Sequence, residues 1–188
     1  MDCISDQESL ALANISTELS KAYLPDANDP WNGSPFQWIK SLPSRTVGAV
    51  GEKLVAKWAE SKGFLVEKTG DSEADRLIHG HRIEIKLSTL WASGGYKFQQ
   101  IRNQNYEHCF CIGLSPFEVH AWLIPKSVLE KYVIGHMGQH TGADGADTAW
   151  LGFEVGKEYD WMKPYGSSLE QVATLIAEMG KGHHTAKK

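Results

Sequence analysis

Two runs of the chain, His108 to Leu114 (H-C-F-C-I-G-L) and Val119 to Ile124 (V-H-A-W-L-I), are almost unbroken in apolar residues, with only four positions around Ser115-Pro116 between them. A strand with one face in water alternates apolar and polar side chains, whereas a run apolar at nearly every position must be covered on both faces. The pair therefore predicts two central strands with other elements packed on each side, an α/β arrangement. A chain of 188 residues, 41% of them hydrophobic, can bury one sizeable core and is too short for two comparable ones. One domain over residues 1–180 is expected, followed by a polar, disordered tail at 181–188.

Around those runs the spacing predicts the remaining elements. Leu10, Leu12, Ile15, Leu19 and Tyr23 recur at helical intervals between Ser5 and Leu24, giving an amphipathic helix that stops before Pro25. Residues 25–43 wrap the core, with a short helical stretch around Phe36 to Leu42. Val47, Val50, Leu54 and Trp58 mark a second helix from Ser44, read as its N-cap, to Gly63, read as its C-cap. A strand at Phe64 to Lys68 follows, then two β segments, Ala74 to Ile78 and Arg82 to Leu87, joined at His79-Gly80. Past Gly94 a short helix is predicted around Lys97 to Gln104. Beyond the apolar runs come a helix at Lys126 to Val133, a glycine-rich loop at Gly135 to Gly145, a strand at Ala149 to Val155 and a helix at Ser167 to Met179.

The segment Arg82 to Leu87 carries chemistry. Ile83, Ile85 and Leu87 point one way along the strand and Glu84 and Lys86 the other, so burial of the first set presents a carboxylate and an ammonium side by side. Asp75 lies nine positions before Glu84, and a hairpin at His79-Gly80 brings the two carboxylates together. Clustered carboxylates raise each other's pKa and are relieved by a hard, oxygen-seeking cation such as Mg²⁺. Phosphodiester hydrolysis uses that arrangement, with a metal to polarise the phosphoryl oxygen and a lysine to position water and offset charge.

The pattern A-D75-(x)8-E84-I-K86, preceded by a helix bearing Glu52, resembles the PD-(D/E)xK nuclease superfamily from about Gly48 to Ile124, and most of all its small type II restriction endonucleases. The resemblance implies a restriction endonuclease-like core at about 44–125 with a mixed sheet of about five strands flanked by helices. It implies a Mg²⁺-dependent DNA endonuclease, with Mn²⁺ able to substitute, in which Asp75, Glu84 and Lys86 are catalytic and Glu52 supplies a further metal contact. Ala74 stands where the family motif has proline, which leaves Asp71 and Glu73 as rivals for the first carboxylate. A symmetric homodimer on double-stranded DNA follows from cutting two strands with one site per chain. Alternatives are a resolvase, repair or phage-defence nuclease acting on branched or modified DNA, and a catalytically silent DNA-binding subunit.

The formal charge of -4 argues against a general nucleic-acid coat protein. Between Arg76 and Arg102, however, five basic residues (Arg76, Arg82, Lys86, Lys97 and Arg102) face one acid, Glu84. Gln99, Gln100, Arg102, Ser88, Thr89 and Lys97 are candidates to contact DNA. His136, His140, Asp144 and Asp147 admit zinc, but their glycine-rich setting fits a flexible loop near a DNA groove better than a metal-binding helix. His79 and His81 are expected at the surface, Cys109 and Cys111 as small buried residues, and Trp58, Trp122 and Trp150 in the core. The odd cysteine count and the lack of a leader-like or membrane-spanning run suggest a cytoplasmic protein.

Overall fold

The two apolar runs lie side by side in a five-stranded sheet, but only the first is the central strand expected, because the second, Val119 to Pro125, forms the sheet edge. The computed structural model describes residues 6, 12–15, 29–138 and 148–183, and the chain divides into two units, Met1–Ser34 and Pro35–Lys188. The first contains a helical turn at 12–15, inside the expected N-terminal helix, and a turn in which the Trp31 N–H donates to Asp29 Oδ1 at 3.0 Å. Asp6 is a bend, and the other residues of the expected helix lie outside the described residues.

The second unit begins with α1 (Gln37–Lys40), α2 (Ser44–Ser61), β1 (Val66–Lys68), β2 (Arg76–Ile78), β3 (His81–Thr89), β4 (Gly95–Ile101), β5 (His108–Leu114) and β6 (Val119–Pro125). It continues with α3 (Lys126–Tyr132), β7 (Ala149–Glu154), a 3-10 helix (Asp160–Tyr165) and α4 (Leu169–His183). The sheet order is β1-β2-β3-β5-β6; β3 and β5 are parallel and the other neighbours antiparallel. This is the expected α/β core with a mixed sheet of five strands. Among the described residues no helix is long and apolar enough to cross a membrane.

Cross-strand partners share a face of a sheet, so the register sorts the core. Ile85, Phe110 and Leu123 lie in one row, with Leu87, Ile112 and Ala121 in the next. Trp58 of α2 meets Phe110 edge to face at 5.6 Å, and Leu169 of α4 shares an apolar hollow with Trp58, Ile112 and Leu114. The approach of α2 is close because Gly51 has no side chain: a Cβ there would stand 2.7 Å from Leu87 Cβ. The opposite face has the rows Glu84-Cys109-Ile124, Lys86-Cys111-Trp122 and Ser88-Gly113-His120. Tyr96, Phe98, Ile101, Leu129, Leu151 and Met162 cover it. Each such side chain contributes about 1.5–3 kcal/mol through burial. The Tyr96 ring rests on bare Gly113, where a Cβ would be 2.6 Å from it.

Several expectations change. The segment expected as a helix at Lys97 to Gln104 is instead strand β4, pairing antiparallel with β7 in a separate two-stranded sheet. Tyr96 and Phe98 are buried while Lys97 and Gln99 are exposed, a period of two. Pro43, not Ser44, occupies the N-cap of α2, where no side chain caps the helix. Gly63 follows the C-cap residue Lys62 at φ 81°, the left-handed conformation expected of a helix-ending glycine. His79 at φ 51° and Gly80 at φ 82° form the expected tight turn between β2 and β3. Helix α4 starts at Leu169 because Ser168 Oγ accepts the Gln171 N–H at 3.3 Å and Gln171 Oε1 accepts the Ser167 N–H at 2.7 Å. It runs to His183, into the expected tail.

Candidate active site

Strand β3 lies at the centre of the sheet and holds Glu84 at 7% exposure. Two residues on and on the same face, the Lys86 ammonium reaches Glu84 Oε1 at 2.7 Å. Asp75 stands just ahead of β2, where the β2–β3 ladder ends. Its N–H donates to the Ile83 carbonyl at 3.0 Å, and its Oδ2 accepts the Ile85 N–H at 2.7 Å. The carboxylate thus takes the place of a strand carbonyl and is fixed opposite Glu84. From α2, Glu52 joins these groups because Gly51 lets the helix lie against Leu87; its Oε2 is 3.4 Å from Arg76 Nη1.

Glu52, Asp75, Glu84 and Lys86 line one cleft of about 530 Å³, together with Ser88, Thr89, Lys97, Gln99 and Gln100. Arg102 is exposed and is not among the lining residues. Ser88 is buried, and its hydroxyl accepts the Lys97 N–H at 2.9 Å and donates to the Thr89 carbonyl at 3.1 Å, so it fastens β3 to β4. The rivals for the first carboxylate are engaged elsewhere. Asp71 pairs with Arg82 at 2.6 Å, Glu73 Oε2 accepts the Asn105 N–H at 3.2 Å, and neither lines the cleft.

Burial raises Glu84 above the usual carboxylate range, and the charges of Asp75 and Glu52 push the same way against the lowering effect of Lys86. Glu52 is raised by burial and then by Asp75, while Arg76 and Lys86 oppose. Burial alone would lower Lys86, but the charge and hydrogen bond of Glu84 outweigh it and hold the ammonium above its ordinary value. Three acids thus share the cleft with the partly buried Lys86 ammonium, with Lys40, Arg45 and Lys97 also in its lining and Arg76 paired to Glu52. All of their donors are hard oxygens, the set a Mg²⁺ ion prefers, and such an ion needs one or two carboxylates because it keeps several waters. Asp75 Oδ1 and Glu84 Oε2 have no hydrogen-bond partner among the described residues. Among those residues no three His, Cys, Asp or Glu side chains form a ready-made ligand cluster. Asp75 and Glu84 are therefore the pair that fits a water-rich hard cation.

Three features of the cleft were not visible in the sequence. Arg76 pairs with Glu52. Cys109 and Cys111 sit in register beside Glu84 and Lys86, fully buried, with their sulfurs 3.7 Å apart. Lys97 lies over the rings of Trp91 at 4.6 Å and Trp150 at 5.2 Å. Trp150, expected in the core, is half-buried on the outer face of β7, where the lysine stem covers it. Each of these depends on strand register or on residues far apart in the chain. His140, Asp144 and Asp147 lie outside the described residues.

No family model matches the chain, and no curated protein matches it. Among solved structures it is similar to a bacterial homing endonuclease, at 16% identity over 78% of this chain and 100% of that one, with a TM-score of 0.47. A likeness of that degree bears on neither family nor activity.

Proposed function

We propose that this protein is a divalent-metal-dependent DNA endonuclease of the PD-(D/E)xK superfamily, of the restriction type, acting as a homodimer on double-stranded DNA. The observation that carries this reading is the pair of half-buried Lys86 and buried Glu84 at 2.7 Å, with Asp75 fixed beside it in an open cleft. A buried ion pair is weak evidence for stability, because desolvation offsets most of its attraction. A central strand that carries one next to two more carboxylates has a chemical use for it.

In this reading Asp75 and Glu84 hold Mg²⁺ or Mn²⁺, with Glu52 adding negative charge behind them. The bound ion would polarise the phosphoryl oxygen and lower the pKa of the water it carries. Lys86, held in its charged form by Glu84, directs its ammonium at the phosphate and offsets charge as the attacking oxygen adds. Arg76, Arg82 and Lys86 are paired with Glu52, Asp71 and Glu84, so attraction for the DNA backbone falls to Lys97 and Arg102, with Arg45 in the cleft lining.

The test is cleavage of supercoiled plasmid by the wild type and by Lys86→Ala, each with Mg²⁺ and with EDTA, followed by sequencing of the product ends. Discrete fragments that need Mg²⁺ and decline by about 10²–10³ in rate without the ammonium are expected. Cleavage indifferent to both Lys86 and EDTA would overturn the proposal.

A further inference from the structure

Strands β4 and β7 stand apart from the five-stranded sheet as an antiparallel ribbon. Its inner face, with Tyr96, Phe98 and Leu151, is buried in the core, and its outer face carries Lys97, Gln99 and Trp150. The ribbon is clamped at both levels. Below, the Lys97 N–H donates to Ser88 Oγ of β3 at 2.9 Å. Above, the Lys97 ammonium lies between the Trp91 and Trp150 rings, joining the β3–β4 turn to β7. A surface held this firmly can present side chains at fixed positions.

Gln100 breaks the regularity of the ribbon. Its φ is +58°, and the pairing with β7 shifts register between Phe98 and Ile101, which makes it a bulge. A side-chain-bearing residue at positive φ is uncommon outside turns, and such conformations persist where the surroundings impose them, often at functional sites. A bulge re-aims a side chain, and Gln99 and Gln100 both line the cleft that holds Asp75, Glu84 and Lys86. Gln100 therefore faces the same cleft as those three residues.

We propose that the β4–β7 ribbon enters the major groove of duplex DNA and that Gln100 reads an adenine there; this rests on the nuclease reading. The major groove, about 12 Å wide, admits a two-stranded ribbon, and a glutamine amide matches the adenine N6 donor and N7 acceptor in a bidentate pair. An uncharged amide adds nothing to the general attraction of phosphates, which falls to Lys97 beside it.

The experiment selects bound duplexes from a randomised library in Ca²⁺, comparing wild type, Gln100→Ala and Gln100→Gly. The wild type should enrich a motif containing an adenine whose preference over other bases drops roughly 5- to 150-fold in both variants. Gln100→Gly should melt no lower than the wild type, because glycine adopts φ +58° freely, so misfolding does not account for the loss. An identical motif in all three proteins, or a wild type without base preference, overturns the proposal even where Mg²⁺-dependent cleavage holds. A wild type that enriches the adenine motif but cuts nothing removes the nuclease reading and leaves base reading by Gln100 standing. Failure to bind any duplex overturns both.

Discussion

Glu84 is buried and faces Asp75 and Glu52, so its ionised form is costly in the metal-free protein. Its folded pKa lies above the unfolded value, as does that of Glu52. Carboxyls shifted this way take up protons on folding, so their contribution to stability is fully present below the unfolded pKa and is lost as pH rises through the folded one. A cation that binds the ionised carboxylates reverses that loss, because a ligand bound only by the folded state stabilises it. Millimolar Mg²⁺ should raise the melting temperature more at pH 7.5 than at pH 5, and Asp75→Asn, which keeps an acceptor for the Ile85 N–H, should abolish most of the gain. Differential scanning fluorimetry at the two pH values checks this, and an equal gain in the variant would place the ion elsewhere. Glu84 and Lys86 were legible as candidates because alternation along a strand is a local property, and Asp75 because the His79-Gly80 turn is local too. The choice of Asp75 over Asp71 and Glu73 was not, since it depends on the Ile83 and Ile85 backbone groups across the hairpin.

Among the elements, α2 and the β3–β5 core follow from short-range pattern, and β4 does not. Phe98 and Ile101 stand at helical spacing, whereas burial of Tyr96 and Phe98 on one face needs a partner strand, β7, some fifty residues later in the chain. Where local spacing is ambiguous, the distant partner decides. The glycines at the two close approaches make the packing testable. Gly113→Ala drives a methyl into the Tyr96 ring, and Gly51→Ala drives one into Leu87. Overpacking of this kind costs about 1–3 kcal/mol, read from urea unfolding at unchanged m-value. Gly51→Ala should also reduce cleavage beyond its effect on stability, because it shifts Glu52, while Gly113→Ala should leave cleavage of the folded fraction closer to wild type. Equal losses in the two would argue that Glu52 has no part in the site.

For the whole molecule, the proposed cleavage of both strands of a duplex by a single site in each chain calls for a symmetric pair of protomers. Dilution should then change the product from linear to nicked plasmid as protomers separate, with sedimentation velocity showing the loss of a dimer over the same concentrations. Linear product that persists where only monomer sediments would contradict the dimer. The thiols of Cys109 and Cys111 lie on a strand whose neighbours are β3 and β6, beside Glu84 and Lys86 on the same face of the sheet. The hydrogen bond with Cys111 and burial hold the Cys109 thiol well above its ordinary value. Alkylation of these two buried sulfurs therefore waits on the lifting of the Tyr96, Phe98 and Leu151 layer that covers their face of the sheet, and its rate is a clock on how often that layer opens.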